Sequence, residues 1–140
     1  MNRIYYLLGE AIHELQKMET ALALLLFSNY VSDIFSQTSI LDFKKSALAY
    51  WSKIDKETMG VKLREVIKKG IFAEKSDIEV FNFLKEKRNY LVHDFFVVND
   101  CSSKDNVEKC EKELQEIISW CSLINKALKK MVQETIPLDF

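Results

Sequence analysis

Glycine and proline are scarce in this chain, with three glycines and one proline in 140 residues. Tight hairpins and crossover loops draw on both, so their scarcity argues against a sheet-rich fold and favours helices joined by a few short loops. Cysteine is equally thin. Cys101, Cys110 and Cys121 form no C-x-x-C pair, and an odd count gives no complete disulfide framework. Long apolar runs are missing as well. The most hydrophobic stretch, residues 20–27, comes after Glu10, Glu14, Lys17 and Glu19, and it falls far short of the ~20 residues that span a bilayer. Arg3 is a weak basic start and acidic residues interrupt the segment where a signal peptide would be apolar, so no signal peptide is read and a cytoplasmic protein without membrane contact is expected. Glycine-rich phosphate loops, H-E-x-x-H pairs and G-x-S-x-G elbows are all lacking. With the two histidines and three cysteines scattered, neither a metal nor a cofactor is expected.

What is present reads as one helical domain over residues 1–140. The composition, 48% hydrophobic and 29% charged, suits a single core of ordinary size. Ile4, Leu8, Ala11, Leu15, Met18, Leu22 and Leu25 recur in steps of three and four, predicting a first helix from about residue 2 to about residue 31. Val107, Cys110, Leu114, Ile117, Cys121, Ile124, Leu128 and Met131 repeat the pattern at the other end, with Ser102 or Ser103 as N-cap and Pro137 beyond the stop. On that stripe Cys110 and Cys121 read as small core residues.

Three further helices are expected between these two. Asp42 can cap one carrying Phe43, Ala47, Leu48 and Trp51; Asp55 can cap a second, which Gly70 closes in a left-handed conformation. Ser76, with Glu79 three residues on, has the form of a capping box opening a helix that continues to residue 96 or 98. The fold expected is an all-α, up-and-down bundle of about five helices, its two long terminal helices packed with the fourth.

Charge is unevenly spread. Residues 44–88 hold 12 Lys and Arg against 7 Asp and Glu, a local excess of +5 inside a chain of net charge −1. Such an excess can meet phosphates, although a solvated helix face is the commoner origin. His13, beside Glu10, Glu14 and Lys17, reads as part of such a solvated face.

The fourth helix carries the residues best suited to chemistry. At ~100° per residue, Phe81, Leu84, Arg88, Leu91 and Phe95 form one stripe, which places a guanidinium where the pattern calls for a hydrophobe. A charge there requires a carboxylate, a phosphate or a wet cleft, and Glu14 or Glu86 are carboxylates that could serve. Asn82, Glu86, Asn89 and His93 form a polar seam alongside. Arginine offers a fixed positive fork and histidine a proton exchanged near neutral pH, a pairing that suits phosphate chemistry. On an ideal helix five residues set Arg88 and His93 ~140° apart, so a two-fold copy of the helix would help assemble both on one phosphate.

The string Arg88-Asn89-Tyr90-Leu91-Val92-His93, followed by Phe95 and Phe96, resembles the R-x4–6-H motif of the HEPN family (higher eukaryotes and prokaryotes nucleotide-binding). Asn89 matches the polar residue that often follows the family's arginine, and the segment from Thr58-Met59-Gly60 to Gly70 resembles the region upstream of the motif in single-domain members. The resemblance implies a homodimeric, metal-independent endoribonuclease, a toxin or phage-defence effector with a separately encoded antitoxin or partner. Arg88 would hold the scissile phosphate, His93 would act as general acid or base, and Asn89 would orient one of them. Glu86, placed on the face of His93 by helical geometry, is a supporting candidate. Some family toxins carry tyrosine two residues after the histidine, where an antitoxin modifies it; this chain has Phe95. The alternative is a non-catalytic helical module of the same fold that binds a protein, a nucleotide or RNA.

Overall fold

A long N-terminal helix, α1 (Asn2–Phe35), forms the spine on which the other helices pack. The computed structural model describes residues 2–35, 39–72 and 74–135, so the expected stop at Pro137 lies outside the described residues. The remaining elements are α2 (Ile40–Asp55), α3 (Met59–Lys68), α4 (Lys75–Asn89), a π turn (Tyr90–Asp94), α5 (Phe95–Val98) and α6 (Lys104–Thr135). Among the described residues there is no strand, and the fold is all-α.

The up-and-down order is visible in which residues meet. Phe27 meets Trp51, Tyr30 stacks on Tyr50 at 4.1 Å, and Phe35 meets Phe43, a descending series that runs α2 antiparallel to α1. These aromatic pairs, each worth about 0.5–1.5 kcal/mol beyond area burial, explain why α1 continues a turn past residue 31. In α6, by contrast, Arg3 pairs with Glu111 and Glu14 with Asn125, an ascending series that sets α6 parallel to α1. Between them run Leu15, Met18 and Leu22 of α1 with Cys110, Leu114, Cys121 and Leu128 of α6, all buried. The heptad positions read from the sequence form this seam. Each such side chain contributes about 1.5–3 kcal/mol by leaving water.

Helix ends differ from several expectations. Ser39 caps α2, accepting from the Asp42 N–H and donating to the Asp42 carboxylate at 2.9 Å. Asp42 is therefore in the first turn, where its charge still favours the helix N-terminus. Thr58 caps α3, accepting from the Val61 N–H, while Asp55 ends α2. The Ser76–Glu79 box does not form: α4 begins at Lys75, and its first turn closes on the Glu74 carbonyl instead. Ser103 caps α6 as expected, accepting from the Asn106 N–H. Gly70 has φ of +70°, its N–H donates to the Ile67 carbonyl, and the Ile71 N–H reaches Val66. That paired closure needs a left-handed residue at position 70.

Candidate functional site

The motif helix is not uniformly α-helical. Through Tyr90–Asp94 it widens into a π turn, lying inside the Arg88–His93 string. A π turn bonds five residues back where an α turn bonds four, so it holds an extra residue and winds His93 back toward the side of Arg88. The ~140° separation of an unbroken helix is thereby reduced. Nothing in the composition of residues 88–93 announces this turn. The buried residues give no trace of it either, since Phe81, Leu84, Leu91 and Phe95, with Arg88 between Leu84 and Leu91, keep the three-and-four steps of an unbroken helix.

Arg88 is half-buried and has a partner in the chain. Its Nε approaches Glu19 Oε1 of α1 at 2.5 Å, with the two side chains 32% and 17% exposed. The contact sets charge against charge without a directed hydrogen bond: the buried Glu19 Oε1 accepts no hydrogen bond, so the Nε–H is not aimed at it. Neither Nη group makes a hydrogen bond with the described residues. The carboxylates suggested by sequence are engaged elsewhere or open to solvent. Glu14 accepts from Lys17 at 2.9 Å and from Asn125 at 3.1 Å, and these donors hold its carboxyl below the usual carboxylate range. Glu86 is exposed. Glu19, 69 positions away from Arg88, is not marked by local spacing, because long-range pairs leave no periodic signal.

Asn89 and His93 are exposed, and with Asn82 and Glu86 they line the solvent side of the helix as a polar seam. The His93 ring makes no hydrogen bond or ion pair with the described residues, and none joins it to Arg88. Among the described residues no group of three or more His, Cys, Asp or Glu could hold a metal ion.

A second polar group clamps the π turn to α6. Tyr90 donates to Glu113 Oε2 at 3.5 Å and accepts from Asn99 Nδ2 at 2.6 Å, and Asn99 Nδ2 also donates to the Phe95 carbonyl. Lys87 lies 3.7 Å from Glu113 and over the rings of Phe83 and Tyr90. Burial pushes the Tyr90 phenol above its ordinary pKa, so it remains a neutral hydroxyl able to donate to Glu113. These residues fix where the wide turn sits, and sequence reasoning gives them no part.

Within one chain the seam is an open surface. A depression of about 550 Å³ is lined by residues 96–102, just past the motif, and one of about 520 Å³ lies between Val80, Phe83, Leu84, Trp120 and Ile124. Neither is lined by Arg88 or His93. Beside His93 the surface is apolar: Val92, Phe96, Val97 and Val98 are exposed, and Tyr5 meets Phe96 with ring centroids 5.4 Å apart. No described helix is long and apolar enough to cross a membrane. No protein-family model, curated protein or solved structure matches this chain.

Proposed function

We propose that this protein is a metal-independent endoribonuclease of HEPN type, with Arg88, His93 and Asn89 as its site and Glu86 in support. The observation that carries the reading is the π turn inside the Arg88–His93 string. Wide turns of this kind occur often at functional sites, and here the turn draws a guanidinium suited to phosphate and an imidazole that no described residue engages toward one side of a helix. Arg88 neutralises the scissile phosphate through its Nη groups. His93 takes the proton of the ribose 2′-hydroxyl or gives one to the departing 5′-oxygen. The 2′-oxygen bonds to phosphorus as the P–O5′ bond breaks, leaving a 2′,3′-cyclic phosphate and a 5′-hydroxyl.

A dimer completes the reading. Two copies meeting across the apolar rim of Val92, Phe96, Val97 and Val98 would cover exposed hydrophobic surface and bring two seams to one cleft. Toxin or phage-defence use, in the cytoplasm and with a separately encoded partner, belongs to the same proposal.

The test is cleavage of RNA in EDTA, read by cyclic-phosphate ends, beside a substrate deoxy at the scissile ribose. Cutting should vanish in His93→Ala and on the deoxy substrate. Retained cutting in His93→Ala would refute the reading. One observation favours the non-catalytic binding module instead: Arg88 is already next to an internal carboxylate. That module shows saturable RNA or protein binding without turnover, and His93→Ala leaves its binding unchanged.

A further inference from the structure

Glu19 is the one carboxylate within ion-pair reach of the motif arginine among the described residues, and it comes from a different helix. It approaches the guanidinium at Nε, the donor nearest the side-chain stem. A guanidinium has five N–H donors in a rigid fork, and the two Nη groups form the edge that matches two phosphate oxygens. Because neither Nη group is hydrogen-bonded to the described residues, the edge suited to phosphate is left for a ligand, while Glu19 sits against Nε as a charge contact without a directed hydrogen bond.

Resting on the ribonuclease reading above, we propose that Glu19 is a positioning residue: it holds the guanidinium of Arg88 from the stem side, so that the Nη edge is presented to the scissile phosphodiester of RNA. Its negative charge also offsets part of the attraction that Arg88 exerts on anions when the site is empty. The buried position of Glu19 Oε1 keeps the negative charge beside the guanidinium, since the carboxylate has little solvent to turn toward.

These two effects of one side chain pull in opposite directions, which separates positioning from a general structural role. In Glu19→Gln the shape is kept and the charge removed. Inorganic phosphate should bind about fivefold more tightly, the size of one screened unit-charge interaction, and its titration should move the Arg88 Nε–H resonance. The kcat for RNA cleavage should fall about tenfold or more as the fork loses its fixed orientation, while KM for RNA does not rise. A merely structural residue would change the melting temperature or the active fraction without this split.

Glu19→Gln with the parent's kcat and phosphate affinity overturns the inference. So does weaker phosphate binding in a variant whose circular dichroism matches the parent. If the parent cuts RNA no faster than His93→Ala, the ribonuclease reading has failed on its own. The phosphate titration then still decides whether Glu19 governs the fork: tighter binding in Glu19→Gln supports it and unchanged binding rejects it.

Discussion

Deleting Val92 should be tolerated, although removing one residue from the middle of a helix ordinarily turns everything beyond it by ~100°. The reason is that the π turn already holds one residue more than an α-helix needs. Without Val92 the segment can close as continuous α-helix, Leu91 and Phe95 become neighbours three apart, and both remain on the core side. The side chain lost is 45% exposed, so the net change should stay within about 1 kcal/mol. His93 then follows Arg88 by four residues, ~40° around the axis, and the two still share a side. Deleting Gln115 from α6 is the control, because that helix has no wide turn to absorb the change. There Cys110 and Leu114 fall out of phase with Ile117, Cys121 and Leu128, all of them buried. Expelling two such side chains costs about 3–6 kcal/mol. At about 3 °C per kcal/mol for a chain of this size, thermal unfolding followed by circular dichroism should place the ΔVal92 midpoint within about 3 °C of the parent and that of ΔGln115 about 10–20 °C below. A ΔVal92 protein as unstable as ΔGln115 would show that the shortened segment cannot close as continuous α-helix.

Two glycines should respond to alanine with opposite signs. Gly9 lies mid-helix with open space where a Cβ would stand, so Gly9→Ala should raise stability by about 0.5–1 kcal/mol; Gly70, at φ of +70°, should lose about 1–2 kcal/mol in Gly70→Ala, both read by urea denaturation. Cysteine labelling should be selective. Burial pushes the Cys121 thiol up to about 11 and raises that of Cys110, so in native protein at pH 8 a thiol reagent should modify the half-exposed Cys101 first and reach the other two only through unfolding. Because the folded-state value of Cys121 is raised, the stability tied to its neutral thiol is intact below the unfolded-state value near 9 and is lost as pH rises toward 11. Cys121→Ala should flatten that alkaline decline in stability measured across pH 8 to 11.

Periodicity carried most of the fold. The stripes of α1 and α6 were readable because a helix that buries one face must repeat apolar residues every three or four positions, and burial follows those repeats from Ile4 to Leu25 and from Cys110 to Leu128. Helix boundaries were less readable, since several polar residues near a start compete for the cap. Ser39 and Asp42 are both suitable, and the chain uses each on the other in a reciprocal pair. At α4 the capping-box letters are present without the box. The N-cap falls at Glu74, two residues earlier, and Ser76 becomes an exposed first-turn residue.

The site divides along the same line. That Arg88 is out of place among Phe81, Leu84, Leu91 and Phe95 is a local fact, and a helical projection reveals it. What satisfies the charge is a tertiary fact. Glu19 lies on the spine helix one residue after the buried Met18, where spacing alone marks it as a boundary residue. Likewise, Tyr90 looks like another aromatic until Asn99 and Glu113 are folded onto its hydroxyl. The two partners explain why a wide turn can persist here: α1 holds the arginine before it and α6 holds the tyrosine that begins it. A π turn forfeits regular α-helical bonding, so it persists only where the surrounding packing over-determines it. Both anchors lie at its start, and Asn89 and His93 stay exposed on the solvent side of the helix.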